Sequence, residues 1–152
     1  MRQSITNTEP MSLIIKISEA CQFACTFCSS SSISVSKSSI LDLELVFKFL
    51  KRYPQTESII INGGDPLVIT PKYYEELLAH LDDNDYPATI SFTTNLWDFY
   101  RKPLKWRDIF NHPRVGVNTS FHYGESRQIK PRVLLTEKKF IEIVTMFKHQ
   151  HG

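Results

Sequence analysis

Hydrophobic positions along this chain fall into short runs separated by segments with helical spacing. Four of the runs are rich in branched residues and almost uninterrupted, which is typical of strands buried on both faces of a sheet. The predicted strands are residues 13–18, 57–62, 88–95 and 114–121. Each run is followed by a segment that is predicted to be a loop, a helix or both.

Helical segments show apolar residues three and four positions apart, so that one face of the helix is apolar. The first is predicted over residues 41–53, and the second begins at Thr70, predicted as a side-chain cap before Pro71. A short helix is predicted over 103–112, and Thr136 is predicted to cap the last helix. The inward-facing residues predicted for the first and last helices are Leu43, Val46, Phe47, Leu50, Phe140, Ile143, Val144 and Phe147.

Strands that alternate with helices predict right-handed crossovers and a parallel sheet. We therefore expect an α/β fold with a parallel sheet of about four βα units, formed by residues 13–152 after a polar tail, residues 1–12. The net charge of +2 does not favour nucleic acid or a membrane as partner. No apolar run approaches the roughly 18 residues of a membrane span, and the polar start lacks a signal peptide, so a cytoplasmic location is expected.

Residues suited to chemistry follow the carboxyl end of every predicted strand. Three cysteines follow the first strand, "GGDPL" follows the second, "TTN" ends the third and "SFH" ends the fourth. Ligand sites of parallel α/β folds gather on this edge of the sheet. Four separate segments are therefore predicted to meet at one site.

The chain has three cysteines, Cys21, Cys25 and Cys28, within eight residues. Three thiolates can hold three irons of a cubane cluster and leave the fourth iron open to another ligand. Zinc is the main alternative, because Cys25 and Cys28 have the spacing of half a structural zinc site. The five histidines lie at no zinc-finger spacing, but a zinc-binding structural or nucleic-acid-binding module stays an alternative.

The spacing Cys21-x-x-x-Cys25-x-x-Cys28 after a first strand resembles the signature of the radical S-adenosylmethionine (radical SAM) enzymes. Phe27 matches the aromatic residue that this family favours before the last cysteine. The resemblance implies a 4Fe-4S cluster on the three cysteines and S-adenosylmethionine bound at the open iron. It also implies reductive cleavage to a 5'-deoxyadenosyl radical, which abstracts hydrogen from a substrate, and an electron donor such as flavodoxin or ferredoxin.

The stretch "GGDPL" is similar to the Gly-Gly-Glu-Pro segment of that family, which receives the methionine amino group. Gly63 and Gly64 would let backbone carbonyls approach the ligand, and Asp65 would supply negative charge near the ammonium, although its side chain is one methylene shorter than glutamate. A plain glycine turn between strand and helix is the structural alternative.

The third and fourth strand ends carry the weaker parts of the resemblance. Thr94 and Asn95 are similar to the first two residues of the family's Thr-Asn-Gly, with Leu96 in place of the glycine. Ser120 is similar to a serine that contacts the carboxylate or ribose of the cofactor in several members. His122 is a candidate for facing substrate, although a single histidine near a strand end is more often structural.

Two groups of side chains are interpreted mainly as structural. The basic residues are predicted to lie on a solvated loop and helix face rather than in an RNA-binding patch, because no aromatic platform accompanies them. The aromatic residues after the third strand would line a substrate entrance or cover the outer wall. The basic residues are Arg127, Lys130, Arg132, Lys138 and Lys139, and the aromatic ones are Trp97, Phe99, Tyr100 and Trp106.

The family's usual core is a partial barrel of six βα units, and the sequence predicts four. We therefore expect an incomplete (βα)6 partial TIM-type barrel that lacks the last two units. An exposed parallel edge favours association, so a homodimer or a complementing chain is expected as partner. An incomplete partner subunit of a radical SAM enzyme is a further alternative, and the substrate is not identified by these motifs.

Overall fold

The computed structural model describes residues 9–23, 25, 39–121, 127–130 and 133–152 of the 152-residue chain. Four strands form one sheet in the sequential order β1-β2-β3-β4, and every neighbouring pair is parallel. The strands are β1 (Met11–Lys16), β2 (Thr56–Asn62), β3 (Thr89–Thr93) and β4 (Val115–Asn118). The parallel sheet predicted from the sequence is confirmed.

Helices follow the strands as the sequence predicts, with one addition. The helices are α1 (Leu43–Arg52), α2 (Pro71–Asp83), α3 (Trp97–Arg101), α4 (Pro103–Asn111) and α5 (Glu137–His151). A short 3-10 helix, Pro66–Val68, precedes α2. Helix α3 was not predicted, because five residues are too few to display a helical period.

A small hairpin after β4 was also not predicted. It consists of β5 (Gln128–Lys130) and β6 (Val133–Leu134), which pair in antiparallel orientation. Strands of three and two residues leave no alternating pattern to recognise. The backbone N–H of Leu135 donates to the carbonyl of Arg127 at 2.9 Å, which closes the base of the hairpin.

One face of the sheet is covered by helices and forms the core. Ile15, Ile61 and Phe92, from three neighbouring strands, are buried on this face. Tyr74 of α2 packs edge-on against Phe92, with ring centroids 4.8 Å apart. Phe99 and Trp106 are fully buried in the same core, so these two aromatic residues belong to the wall of the fold and not to an entrance.

Side-chain capping was predicted for two helix starts, and it is present at one of them. The Thr136 hydroxyl accepts from the backbone N–H of Lys139 at 3.1 Å, which confirms the predicted cap of α5. The side-chain cap predicted at Thr70 is wrong, because the Thr70 side chain makes no capping hydrogen bond. Pro71, which has no N–H to satisfy, begins that helix alone. No helix in the part of the chain that the structure describes is long and apolar enough to cross a membrane.

The third and fourth strands end earlier than predicted, which moves their candidate residues into loops. The last pair between β3 and β4 joins Thr93 and Asn118. The residues that follow this pair lie just beyond the sheet, and their side chains no longer have to point alternately to its two faces. They include Thr94, Asn95 and Ser120. This edge holds the candidate site.

Candidate cofactor site

The carboxyl ends of the four strands surround one cavity of about 420 Å³. Every candidate site residue that the structure describes lines this cavity. These residues are Cys21, Cys25, Gly63, Gly64, Asp65, Thr94, Asn95 and Ser120. Phe27, Cys28 and His122 lie outside the described residues. The sequence therefore predicted correctly which described segments would meet.

The two glycines let the loop after β2 lie directly against the chain that follows β1. The N–H of Gly64 donates to the carbonyl of Ser18 at 2.9 Å, and the N–H of Asp65 donates to the carbonyl of Ala20 at 2.7 Å. A Cβ on Gly64 would collide with the carbonyl oxygens of Glu19 and Ala20. Gly63 has φ +139°, a conformation that side chains rarely adopt. Both positions therefore require glycine. The contact brings residues 63–65, here called the glycine loop, next to the segment that begins at Ser18 and carries Cys21 and Cys25, here called the cysteine loop.

Asp65 lines the cavity and links three strand ends. Its side chain is buried, and Oδ1 accepts the backbone N–H of Asn95 at 3.0 Å. Gln22 Nε2, in the cysteine loop, lies 3.5 Å from Oδ2. Burial raises the pKa of Asp65 to about 6, although hydrogen bonds from Thr94 and Asn95 act in the opposite direction. The sequence predicted a charged group near the ligand, and the structure adds that this carboxyl also holds the site together.

The turn after β3 has a left-handed residue at its centre. Leu96 has φ +60° and is buried, and its N–H donates to Thr94 Oγ1 at 3.1 Å. The side-chain oxygen of Asn95 accepts the N–H of Trp97 at 2.9 Å. The backbone at Leu96 takes the conformation that glycine adopts most readily, so the leucine keeps the turn geometry and adds a buried side chain.

Arg127, which the sequence assigned to a solvated loop and helix face, is half-buried and belongs to the cavity. It lines the cavity, and its Nη1 donates to the backbone oxygen of Ser120 and, at 3.0 Å, to Ser120 Oγ. Its Nε is buried and has no hydrogen-bond partner among the described residues. Arg127 stands at the start of the short hairpin after β4 and contacts Ser120 at the end of that strand. No local sequence pattern predicts this contact. Lys130 and Lys138 are exposed, as predicted.

The two described cysteines both line the cavity. Cys25 is buried, and Cys21 Sγ accepts the N–H of Phe23 at 3.4 Å. Neither thiol takes part in a disulfide within the described residues. In the part of the chain described by the structure, no three potential metal-ligating side chains come together. The third cysteine of the motif, Cys28, lies outside that part.

Comparison with known proteins defines the class of this chain. The model of the radical SAM superfamily matches residues 15–150, so the chain belongs to the radical SAM superfamily. None of the curated proteins matches it. The fold agrees with the family, since the parallel sheet and alternating helices correspond to a radical SAM partial barrel.

Solved structures of anSMEcpe are similar to this chain. Native anSMEcpe with bound AdoMet (S-adenosylmethionine) and Kp18Cys peptide shares 22% identity with a TM-score of 0.69. A polyhistidine-tagged form of anSMEcpe with bound AdoMet shares 23% identity with a TM-score of 0.70. In both comparisons the match covers 93% of this chain and 41% of that chain. At this identity the likeness establishes the fold, and this chain spans less than half the length of the structures that it matches.

The buried Asp65 predicts a pH-dependent stability. The native protein holds the Asp65 proton up to about pH 6, whereas an unfolded chain releases it near pH 3.8. Stability is therefore expected to fall as the pH rises from about 4 to 6, by about 3 kcal/mol at most, since each pKa unit corresponds to about 1.4 kcal/mol. Asp65→Asn removes the titrating group and is expected to abolish this pH dependence.

Urea unfolding of the apo protein between pH 4 and 7 measures the effect. The amide introduced by Asp65→Asn would keep the acceptor for Asn95. Gln22 Oε1, which is buried and has no partner among the described residues, would accept from the new NH₂ group after Gln22 rotates. Asp108→Asn is the matched control, because the Asp108 side chain is 83% exposed and should leave the pH slope unchanged. The same pH slope in wild type and Asp65→Asn would contradict the prediction.

Proposed function

We propose that this chain holds a 4Fe-4S cluster on Cys21, Cys25 and Cys28 and binds S-adenosylmethionine in the adjacent cavity, as the core of a radical SAM enzyme. The observation that supports this most is the single cavity that brings the cysteine loop, the glycine loop and two further strand ends together. The cluster, once bound, supplies the electron that cleaves the sulfonium of S-adenosylmethionine to methionine and a 5'-deoxyadenosyl radical, which abstracts hydrogen from a substrate.

The residues present fit this cofactor. Thiolates are the usual ligands of iron-sulfur clusters, and both described cysteines of the motif lie on the cavity wall. The glycine loop offers a surface without side chains, because a Cβ at Gly64 has no room. The rings of Phe23 and Trp97 pack edge to face, with their centroids 6.0 Å apart, and so join the segment after β1 to the segment after β3.

The charges on the cavity wall suit an α-amino acid group. Asp65 lies after β2 and Arg127 lies after β4, which places them two strands apart, roughly 10 Å at the usual strand spacing. We infer that the methionine ammonium binds at the glycine loop, near Asp65, and that the carboxylate binds at Arg127 and Ser120.

The electron donor and the substrate are the remaining parts of the proposal. A flavodoxin or a ferredoxin would supply the electron, and the cytoplasm would keep the cysteines reduced until the cluster is inserted. The substrate, the reaction outcome and a complementing or second chain would depend on regions outside the four strand ends.

Anaerobic reconstitution with iron and sulfide tests the proposal. We expect about four irons and four sulfides per chain, and 5'-deoxyadenosine after addition of dithionite and S-adenosylmethionine. A cluster-loaded protein that cleaves no S-adenosylmethionine would contradict the radical function. About one zinc and no sulfide in protein purified without oxygen would favour the zinc-binding module instead.

Arg127→Ala is expected to weaken binding of S-adenosylmethionine by about 30-fold. The reason is the loss of a charge-assisted hydrogen bond, commonly about 2 kcal/mol. Isothermal titration of the reconstituted protein measures the affinity, and the cluster content should stay normal. Lys130→Ala is the control, because Lys130 lies in the same hairpin but is exposed and does not line the cavity. Equal affinities of the two variants would exclude Arg127 from the binding site.

A further inference from the structure

Among the described residues, N–H groups from two different parts of the chain contact Cys21 Sγ. One is the backbone N–H of Phe23, at 3.4 Å. The other is the side-chain amide of Asn95, whose Nδ2 lies 4.0 Å from the sulfur and comes from a position 74 residues away. Such a donor on a cluster thiolate changes its electron density, so the second contact has a chemical consequence.

The orientation of the Asn95 amide follows from its other contact. The Trp97 backbone N–H is a donor only, and it lies 2.9 Å from Asn95 Oδ1. The atom at that position must therefore be the oxygen, which directs the NH₂ group toward Cys21. The amide cannot reverse without placing two donors against each other.

Asn95 is also held in place by its surroundings. Its backbone N–H donates to the buried Asp65 carboxyl at 3.0 Å, and Asn95 as a whole is only 7% exposed. A hydrogen bond in such a partly dry site is electrostatically stronger than one in water.

We propose that Asn95 is a positioning residue that raises the reduction potential of the cluster through its hydrogen bond to Cys21. This inference rests on the proposed function, since it requires the cluster. A reduced cluster carries one more negative charge than an oxidised one, and an N–H donor to a thiolate stabilises the more negative form. Removing the donor therefore makes reduction harder.

The test is a redox titration of the reconstituted cluster, followed by EPR, without S-adenosylmethionine. Asn95→Leu removes the amide, and Asn95→Asp keeps the acceptor for Trp97 while it replaces the donor with a negative charge. We expect both potentials to be more negative than that of the wild type, with Asn95→Asp the lower. For Asn95→Leu the reduced-to-oxidised ratio should fall by up to about tenfold, which equals about 59 mV for a one-electron couple.

Asn118→Leu is the matched control. Asn118 also lines the cavity, but its Nδ2 donates to Ser91 Oγ at 2.8 Å rather than to a sulfur. Asn118→Leu replaces the same amide with the same apolar side chain as Asn95→Leu does. The reduction potential of the cluster should nevertheless stay unchanged. Asn95 variants with the wild-type potential, or an equal shift in Asn118→Leu, would overturn the proposal.

If the Asn95 variants do not assemble a cluster, a second measurement on the wild-type protein tests the proposal. Pulsed EPR on protein containing ¹⁵N-labelled asparagine side chains should detect a nitrogen coupled to the reduced cluster, in the wild type and equally in Asn118→Leu. Absence of that coupling would overturn the proposal without any Asn95 variant. The proposed function fails separately: a cluster with the expected shifts but no cleavage of S-adenosylmethionine would leave the role of Asn95 intact.

Discussion

Replacing Cys21, Cys25 or Cys28 with alanine is expected to abolish the 4Fe-4S cluster and, with it, all cleavage of S-adenosylmethionine. Each variant removes one of three protein ligands, which leaves the cubane with a second iron that the protein does not support. The iron and sulfide content of the reconstituted protein and the yield of 5'-deoxyadenosine measure the effect. We expect both to fall to the background of protein that was not reconstituted.

The control for this experiment is the apo protein. Circular dichroism of the apo variants should equal that of the apo wild type, because the loss concerns metal ligands and not the sheet. Only the reconstituted wild type should gain thermal stability, since cluster binding is coupled to ordering of the loop. A single alanine variant with normal cluster content and turnover would refute the ligand assignment.

Gly64→Ala is expected to produce the largest effect outside the cysteines. A Cβ at this position would overlap the backbone oxygens of Glu19 and Ala20, and backbone atoms cannot turn away as a flexible side chain can. Relief requires that the glycine loop and the cysteine loop separate. We expect the unfolding free energy to fall by about 3 kcal/mol, at the upper end for overpacking, and binding of S-adenosylmethionine to become undetectable.

Gly116→Ala is the matched control in the same sheet. A Cβ at Gly116 would meet no atom within 4 Å, and the residue lies in β4 without positive φ. Its stability should change by less than about 0.5 kcal/mol, or increase slightly, because alanine costs less backbone entropy than glycine in a strand. Urea unfolding compares the two variants directly. Equal losses would mean that the close contact at Gly64 does not determine the site.

The site depends on contacts between loops that are far apart in the chain. Asp65 is linked to Gln22 across 43 residues and to Asn95 across 30 residues. Gly64 and Asp65 are joined by backbone hydrogen bonds to the chain after β1. A change in any one loop is therefore expected to alter the position of the others. Substitutions that lower the stability of the apo protein should then also lower its affinity for the cofactor.

The sequence alone determined the four strands of the parallel sheet, the four helices with a readable helical pattern and the segments that carry the chemistry. These features have local causes: runs of branched apolar residues, helical spacing, and motifs placed directly after strands. The spacing of the three cysteines and the glycine pair also identified the family, which the comparison confirmed. The roles of all the candidate site residues remain predictions, and Phe27, Cys28 and His122 also lie outside the described residues.

Only the tertiary structure decided how these residues act on one another. It placed Arg127 on the cavity wall, directed the Asn95 amide toward Cys21, and buried Asp65, which raises its pKa to about 6. Each of these outcomes depends on atoms contributed by distant segments and on the exclusion of water between them. A local pattern reports the period of a strand or helix, but burial and hydrogen bonding across the cavity exist only once the four strand ends have met.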